Sequence, residues 1–426
     1  MDDQAHGGRR LTTRQAAELL GVKPATVYAY VSRGQLTSRR DAVGRGSTFD
    51  AAEVEALARR SRREAAAPAA GELSVRTSLT LIEPDRYWFR GVDAVGLASR
   101  YCYEEVAEWL WTGALPRGAR FTAPDGQLTA ARHAVAALPE HAGPIDRLRV
   151  ATAAAAVADP LRFDLSAEAV LGSARCLIPT LVGALPEVGR EPGSPSGQPD
   201  GERTGTAEGG LLAERLWPRL TAREPEAAAL DALDLALALL IDHDLAASTL
   251  AVRVAASARA HPYAAVSAGL GVLEGPLHGA AGRLAHRTLA EVLERGAAAP
   301  VVADHLRAGR RVPGLGHRLY AGEDPRATAL FARLEGVPAA RPALAAAREL
   351  VATTAARQDG LHANVDLALA VLTVSCGMPA EAGETVFAVA RTAGWMAHAL
   401  EEYEERPLRM RPSGQYQGPR PPQPMP

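Results

Sequence analysis

The feature that most restricts the fold of this chain is a series of long apolar segments with helical periodicity. Examples are AAALDALDLALALLI, STLAVRVAASA and TVFAVARTAGWMAHALEEYEE. Apolar residues that recur every three to four positions favour helices that bury one face or all faces. No run of strands with βαβ spacing accompanies them. The sequence therefore predicts a mainly α-helical body.

Composition agrees with closely packed helices. Alanine is the commonest of the 426 residues, apolar residues make up 47% and aromatic residues only 5%. Alanine favours helices, whereas strands are enriched in aromatic and β-branched residues. The length suffices for two or three domains with a large core. A net charge of −2 excludes a disordered polyelectrolyte.

Three cysteines, Cys102, Cys176 and Cys376, are too few and too far apart for a disulfide framework or a zinc finger. The polar N-terminus has no apolar core typical of a signal peptide. The most apolar helical stretch contains aspartates, so no membrane span and no membrane partner are expected. We expect a cytoplasmic protein.

Charge divides the chain into a small basic module and a mildly acidic body. Residues 1–64 contain 12 basic and 8 acidic side chains, and the remainder contains 35 basic and 41 acidic. Residues 9–45 alone contain eight basic side chains against two acidic ones. Such a basic excess is sufficient for contacts with phosphates.

Breaks in the apolar periodicity set the predicted boundaries. The predicted parts are a module over 10–62, a linker over 65–71, a body over 72–418 with a disordered insertion at about 190–210, and a Pro-rich tail over 419–426.

The basic module contains two predicted helices joined by a tight turn. Thr12 or Thr13 can cap the first helix, Gly21 ends it, and Pro24 opens the second, which runs to Ser32. The expected apolar stripes are Ala16, Ala17, Leu19 and Leu20 on the first helix and Val27 and Val31 on the second. The second helix is expected to direct outward Thr26, Tyr28, Tyr30 and Arg33.

A polar, Gly-rich stretch, TSRRDAVGRGSTF, follows and is compatible with a β-wing bearing Arg39, Arg40 and Arg45; Asp50 then caps a third helix. The pattern resembles the winged helix-turn-helix of the MerR and excisionase-like families, which implies DNA binding through residues 10–62. A docking or dimerisation element without a DNA target is the alternative.

Polar groups interrupt apolar helical sequence at several places in the second half of the chain. The segments are IDHDLAAST with His243, EGPLHGAAG with His278, RVPGLGHRLYAGEDPRA with His317 and Arg326, NVDLALAVL with Asp366, VARTAGW with Arg391 and RMRPSGQYQG with Arg411. Taken singly, each has a structural explanation as a loop histidine, a helix N-cap or a paired arginine. The histidines lack the spacing of a zinc site, and no metal is expected.

Taken together and in order, these segments resemble the citrate synthase family, from about Val75 to Gly418. The matching patterns are DHxLxAST, GPLHG, PGxGHRxYxxxDPRA, NVD, ARTxGWxAH and RPxxxY. The N-terminal edge of the body also resembles the start of that family. Its sequence is TSLTLIEPDRYWFRGVDAVGLASRYCYEEVAEWLWTGALP. The resemblance implies an all-helical body with a large and a small domain.

The resemblance implies condensation of acetyl-CoA with oxaloacetate, which gives citrate and CoA, the entry step of the tricarboxylic acid cycle. Asp366 would be the base that removes a methyl proton, since burial raises the basicity of a carboxylate. His278 would donate to the enol oxygen, and His317 would act as the acid at the oxaloacetate ketone.

The resemblance also implies how the substrates are bound. Arg326 and Arg391 would hold the oxaloacetate carboxylates, with His243 as a further donor. Arg411 would enter the site of the other subunit of a homodimer, and dimers could pair into hexamers. Val312 and Gly314 would contact CoA. No metal or permanently bound cofactor is implied, because acyl-CoA is a co-substrate.

Two departures from the family pattern concern this site. This chain has GPLHGAAG, with Ala280 and Gly282, where the family more usually has GPLHGGAN. Leu240 stands where the family commonly has a histidine, three residues before His243.

Three functions stay open: citrate synthase, 2-methylcitrate synthase using propionyl-CoA, and a transcription regulator that uses the body as a metabolite sensor. One methylene is worth only about 1–3 kcal/mol, so the first two overlap.

Overall fold

The structure is a computed structural model that forms two compact units, Met1–Arg76 and Thr77–Pro426. It describes residues 10–20, 22, 24–32, 36–40, 47–54, 75–189, 209–275, 278–357, 360–412 and 417–419. The predicted linker over 65–71 lies outside the described residues, as do nearly all of the predicted insertion and the Pro-rich tail. The second unit begins at Thr77, five residues after the predicted start of the body.

The first unit is a helix-turn-helix with an antiparallel sheet. Its elements are β1 Arg10–Thr12, α1 Thr13–Leu20, α2 Pro24–Ser32, β2 Ser38–Arg40, β3 Ser47–Asp50 and α3, of which 51–54 are described. The strand order is β1-β3-β2, with Leu11 opposite Phe49 and Arg39 opposite Thr48. Asp50 accepts hydrogen bonds from the backbone of Ala52 and caps α3, as predicted.

The small core of this unit corrects two expectations. Leu19 is 37% exposed, because it lies at the edge of the stripe that Ala16 and Ala17 bury. Tyr30 packs against the core instead of pointing outward, since it is three positions after the buried Val27. The predicted wing is present as β2 and β3; Arg33 and Arg45 lie outside the described residues.

The second unit is helical apart from one short sheet, in agreement with the predicted class. The sheet has β4 Thr80–Ile82, β5 Tyr87–Phe89 and β6 Val92–Asp93 in sequential antiparallel order. The helices are α4 Ala94–Arg100, α5 Tyr103–Thr112, α6 Asp125–Ala136, α7 Pro144–Val157, α8 Ala167–Ala184, α9 Leu212–Leu220, α10 Ala227–Leu239, α11 Ala247–Ser257, α12 Pro262–Leu273, α13 Ala280–Arg295, α14 Ala298–Arg307, α15 Pro325–Leu334, α16 Arg341–Ala355, α17 Val365–Ser375 and α18 Ala382–Glu404. A 3-10 turn, Pro338–Ala340, precedes α16.

The core of this unit is organised around α18, most of whose residues are buried. It packs against α5, α8, α10, α11, α12, α13 and α17. Glycines permit its closest contacts: a Cβ added to Gly394 would lie 2.1 Å from the carbonyl oxygen of Ile241, and one added to Gly269 would lie 2.9 Å from Trp395. α18 therefore fixes the positions of the helix ends around it.

One helix departs from the expectation about membranes. α8 is long and apolar enough, by length and composition alone, to cross a bilayer, and half of the relevant stretch is buried inside the fold. It packs against α6, α7 and α18. The three cysteines are free thiols, as the sequence predicts.

Candidate active site

Six of the predicted site residues line one cavity of about 170 Å³, although they are far apart in the chain. They are His243, His278, His317, Arg326, Asp366 and Arg391. They come from the loop before α11, the loop between α14 and α15, the N-terminal ends of α13, α15 and α17, and the middle of α18. The carboxylate, imidazoles and guanidinium groups that the sequence singled out therefore share one cleft.

Asp366 lies in the first turn of α17. Asn364 caps this helix by accepting hydrogen bonds from the backbone N–H groups of Asp366 and Leu367. Burial raises the pKa of Asp366 to about 6, although Arg326 opposes the shift. Within the described part of the chain, its carboxylate oxygens have no hydrogen-bond partner. The group is a free carboxylate with a basicity suited to proton abstraction near neutral pH.

The loop that carries His317 is fastened to the start of α17. Asn364 donates from its backbone to the Gly314 carbonyl at 3.0 Å and from its side chain to the Gly316 carbonyl at 2.9 Å. Gly314 has a φ of 82°, and a Cβ there would lie 2.9 Å from the side chain of Leu367. Glycine is required at this position by both backbone conformation and close approach. This loop therefore holds His317 beside Asp366.

His317 is contacted by a donor at each ring nitrogen. The backbone N–H of Leu319 lies 3.1 Å from its Nδ1, and Nη2 of Arg326 lies 3.2 Å from its Nε2. Burial and the nearby Arg326 lower its pKa, so the ring is neutral. A neutral imidazole accepts at one nitrogen only, so the two contacts belong to different tautomers. The tautomer in which Nδ1 accepts from Leu319 carries its proton on Nε2, beside Arg326.

Arg326 is oriented by a buried ion pair. Asp324 accepts from its Nε at 2.9 Å and from its Nη2 at 2.8 Å, and also from the backbone N–H of Val365 at 3.1 Å. Asp324 therefore connects α15 to α17 and fixes the plane of the guanidinium. One carboxylate already balances the charge of Arg326.

Arg391 is different, because no carboxylate pairs with it among the described residues. It is 1% exposed, its Nε donates to the Leu240 carbonyl at 2.9 Å, and its guanidinium lies 4.6 Å from the Phe387 ring centroid. Burial lowers its pKa to about 10, so it remains protonated at neutral pH. Asp242 stabilises its charge only from beyond salt-bridge distance. A buried guanidinium that faces a cavity and contacts no carboxylate can bind an anion there.

His243 and His278 are both neutral, because burial and nearby arginines lower their pKa values. Nε2 of His243 is 2.8 Å from the Tyr320 hydroxyl, and Nε2 of His278 is 2.7 Å from the Ser248 hydroxyl. Each ring is thus oriented by a hydroxyl group. Both can donate a hydrogen bond without carrying charge.

A buried polar network holds the segment that carries His243. Nε2 of His398 on α18 is 3.1 Å from Oδ1 of Asp242, and Nδ1 of His398 accepts from Nε of Arg253 at 3.0 Å. Arg253 also pairs with Glu401 and Glu402. Because a guanidinium only donates, Nδ1 of His398 must accept, so its proton lies on Nε2 and points to Asp242.

Sequence reasoning missed the residues that orient the predicted ones: Asn364, Asp324, Ser248, Tyr320, Phe387 and His398. Most lie inside the segments it singled out, within a few positions of a predicted residue. The segments themselves were therefore the available sequence signal for these residues. No sequence signal indicated that Ser248 pairs with His278, which lies 30 residues away in the chain.

The comparisons with known proteins bear on the whole of this body. A family model described as "Citrate synthase, C-terminal domain" matches residues 69–413. This chain belongs to the citrate synthase family. A second model, "Helix-turn-helix domain", matches residues 10–62, the range predicted for the basic module.

Relatives of this citrate synthase family member match over most of its length. The citrate synthase of Haloferax volcanii is 32% identical, in an alignment that covers 82% of this chain and 94% of the relative. Citrate synthase 2 of Bacillus subtilis is 29% identical, in an alignment that covers 82% of this chain and 95% of the relative. Among solved structures, citrate synthase from Pyrobaculum aerophilum has a TM-score of 0.67 at 25% identity, covering 83% of this chain and 92% of its own.

The ternary complex of citrate synthase from Thermoplasma acidophilum with carboxymethyl coenzyme A and oxaloacetate has a TM-score of 0.63 at 25% identity. It covers 84% of this chain and 97% of its own. Membership of the family identifies this protein as an enzyme of the citrate synthase class with a helix-turn-helix domain at its N-terminus.

Three residues predicted from the family pattern are not among those that line the cavity: Val312, Gly314 and Arg411. Val312 is buried, and Gly314 packs against Leu367. Arg411 is exposed, and its backbone N–H donates to the Leu408 carbonyl. Their roles in CoA binding and at the site of a second subunit stay predictions. Within the described residues, no cluster of three or more metal-ligating side chains is found.

Proposed function

We propose that this enzyme condenses an acyl-CoA with oxaloacetate and hydrolyses the resulting thioester to release CoA. The observation that carries the proposal is the combination in one cavity of a free carboxylate with a raised pKa, three neutral imidazoles and an unpaired buried guanidinium. That set matches the condensation of a carbon acid with a dicarboxylate.

In the first step, Asp366 takes a proton from the carbon next to the thioester carbonyl, and neutral His278 stabilises the oxygen of the resulting enolate by donating a hydrogen bond. The electron pair of the enolate then forms a bond to the ketone carbon of oxaloacetate. In the tautomer with its proton on Nε2, His317 gives that proton to the ketone oxygen. Water finally adds to the thioester carbonyl, and the C–S bond breaks to release CoA as a thiol.

The dicarboxylate is held by the two arginines. Arg391 supplies a positive charge that no carboxylate contacts among the described residues, and its bond to the Leu240 carbonyl fixes the plane of its guanidinium. Arg326 adds donors next to His317, with its orientation set by Asp324. Planar guanidinium groups bind carboxylates through two parallel hydrogen bonds, which favours oxaloacetate over monoacids.

The test is a thiol-release assay with acetyl-CoA and oxaloacetate. Asp366→Ala should reduce CoA release by about 10²–10⁴-fold, the usual contribution of a general base, and should retain oxaloacetate binding measured by calorimetry. Asp125→Ala serves as the matched control, since Asp125 also lies in the first turn of a helix but is exposed and outside the cavity. Unchanged CoA release in Asp366→Ala would contradict the mechanism.

For the N-terminal module we propose binding to double-stranded DNA. The support is the match of residues 10–62 to a helix-turn-helix domain, together with the basic excess over 9–45 and an exposed Tyr28 on α2. A gel-shift titration of the full chain against its own upstream DNA should show affinity that falls steeply with salt. Arg39→Ala in the wing should reduce the slope of log affinity against log salt concentration by about one. Binding with no salt dependence would instead favour a docking or dimerisation element without a DNA target.

We also infer a cytoplasmic homodimer that supplies citrate to the tricarboxylic acid cycle. The support is the absence of a cysteine framework and the exposed position of Arg411 outside the cavity of its own chain.

A further inference from the structure

One charged side chain in the cavity wall has no part in the proposed condensation. Glu384 lies in the first turn of α18 and lines the same cavity as Arg391, which is two turns further along this helix. Phe387 lies between them and also lines the cavity. Residues three and seven positions apart share one face of a helix. α18 therefore presents to the cavity a row of side chains with a carboxylate at one end and a guanidinium at the other.

The carboxylate end of this row is the one nearer to solvent. Arg391 is 1% exposed, whereas the side chain of Glu384 is 10% exposed and that of its partner on α13, Arg283, is 38% exposed. At a rise of about 1.5 Å per residue, the backbone positions of Glu384 and Arg391 are about 10 Å apart. The cavity thus has a guanidinium at its inner end and a carboxylate at its outer end.

Glu384 is held only loosely. Nε of Arg283 lies 3.7 Å from its Oε1, and among the described residues its carboxylate makes no hydrogen bond. Burial raises the pKa of Glu384, but Arg283 opposes the shift and favours the ionised form. Glu384 lines the cavity and Arg283 does not. A ligand in the cavity therefore meets the negative member of this ion pair first.

The proposed reaction places a new negative charge toward this end. Water adds to the thioester carbonyl, the C–S bond breaks, and the neutral thioester becomes a carboxylate with release of the CoA thiol and a proton. The two carboxylates from oxaloacetate are held by Arg326 and Arg391, so the third carboxylate of the product lies away from the arginines. The cavity measures only about 170 Å³, and like charges repel strongly where the surroundings are of low polarity.

We propose that Glu384 makes the cavity selective for substrate over product. Its carboxylate repels the third carboxylate of citrate and thereby weakens product binding, whereas oxaloacetate places no charge at this end. Glu384 does not touch the reacting atoms and acts as a specificity-determining residue. The inference rests on the proposed condensation, which generates the third carboxylate.

The experiment measures the Kd values of citrate and oxaloacetate for the full chain by calorimetry, with thiol release from acetyl-CoA on the same samples. Glu384→Gln keeps the shape of the side chain and removes its charge. Its Kd for citrate should fall by about tenfold or more, whereas its Kd for oxaloacetate should change by less than about threefold. Arg283→Gln should raise the Kd for citrate, because Glu384 then loses the cation that offsets its charge.

The matched control is Glu381→Gln. Glu381 lies one turn before Glu384, pairs with Arg287 of α13 at 3.6 Å and does not line the cavity, so both Kd values should stay near those of the wild type. Tighter binding of citrate is a result that a damaged site would not give.

An unchanged Kd for citrate in Glu384→Gln, or an equal fall in both Kd values, would overturn this proposal and leave the condensation intact as long as thiol release continues. Absence of thiol release in the wild type would overturn the condensation and this inference with it.

Discussion

Single residues in the cavity owe their chemistry to burial. Burial raises the pKa of Asp366 to about 6, lowers that of Arg391 to about 10, and lowers the pKa values of His243, His278 and His317. The first residue becomes a better base, the second stays charged, and the imidazoles stay neutral. The charge state of the site at neutral pH is therefore set by the low polarity of its surroundings.

The pH dependence of the first step follows from Asp366. A base acts in its deprotonated form, so kcat/KM for acetyl-CoA should fall as the pH drops through about 6 and level off above it. A free aspartate would place this limb near its usual pKa of about 3.9. The profile is measured from pH 4.5 to 8 by thiol release. A kcat/KM that stays level down to pH 4.5 would contradict the assignment of Asp366.

Arg391→Lys tests the dicarboxylate site. Lysine retains the charge but loses the planar fork and the bond to the Leu240 carbonyl, so KM for oxaloacetate should rise by about tenfold or more. KM for acetyl-CoA should change much less. Arg348→Lys is the control, since its exposed guanidinium pairs with Glu335 on the surface. Equal changes in both KM values would argue against a specific role.

At the scale of elements, α18 positions both the anion-binding group and the segment opposite it. Arg391 holds the Leu240 carbonyl and, two turns later, His398 holds Asp242. Gly394 lies between them and lets the 240–243 segment pack directly on the helix. His243 is therefore presented to the cavity by a backbone that is fastened at two points.

His398 is a positioning residue, and two substitutions separate its nitrogens. In His398→Gln an amide N–H can still reach Asp242, whereas in His398→Asn the amide lies near the Nδ1 position and only the contact with Arg253 can persist. We expect His398→Asn to raise KM for oxaloacetate by about tenfold and His398→Gln to stay near wild type, because small misplacements of binding groups are costly. Kinetics are measured together with thermal melts. Equal loss of stability in both variants without a change in KM would indicate a purely structural role.

At the scale of the whole molecule, the cavity and Arg411 are separate in one chain, which leads to a test by mixing. Arg411→Ala should weaken oxaloacetate binding, because a carboxylate would lose a charged partner. Mixing this variant with inactive Asp366→Ala, after partial dissociation, should restore part of the activity if each site combines residues of two subunits. Full activity of Arg411→Ala alone would contradict a shared site.

The two units also predict separable functions. Removal of residues 1–64 leaves all of the second unit, which begins at Thr77. We expect CoA release to remain within about threefold of the full chain, since every cavity residue belongs to the second unit, and DNA binding to be lost. The melting temperature of the truncated protein is the control for folding. Complete loss of turnover would mean that the module is required by the body.

The sequence by itself determined the helical class, the module with its wing, and the identity of six residues that meet in one cavity. Local periodicity, caps and ordered motifs are properties of neighbouring residues, so they can be read without coordinates. Asp50 as a cap and Pro24 as a helix start are examples. Leu19 and Tyr30 were misplaced, because Leu19 lies at the exposed edge of its stripe and Tyr30 packs against the core of the module.

Only the tertiary structure decided which groups orient those residues and how much space surrounds them. The contact of Ser248 with His278, the Arg253–His398–Asp242 network and the close approach of Gly282 to Gly383 each join segments 30 to more than 100 residues apart. Charge state and cavity shape depend on burial and on packing across helices. These are properties of the folded chain, and no segment contains them alone.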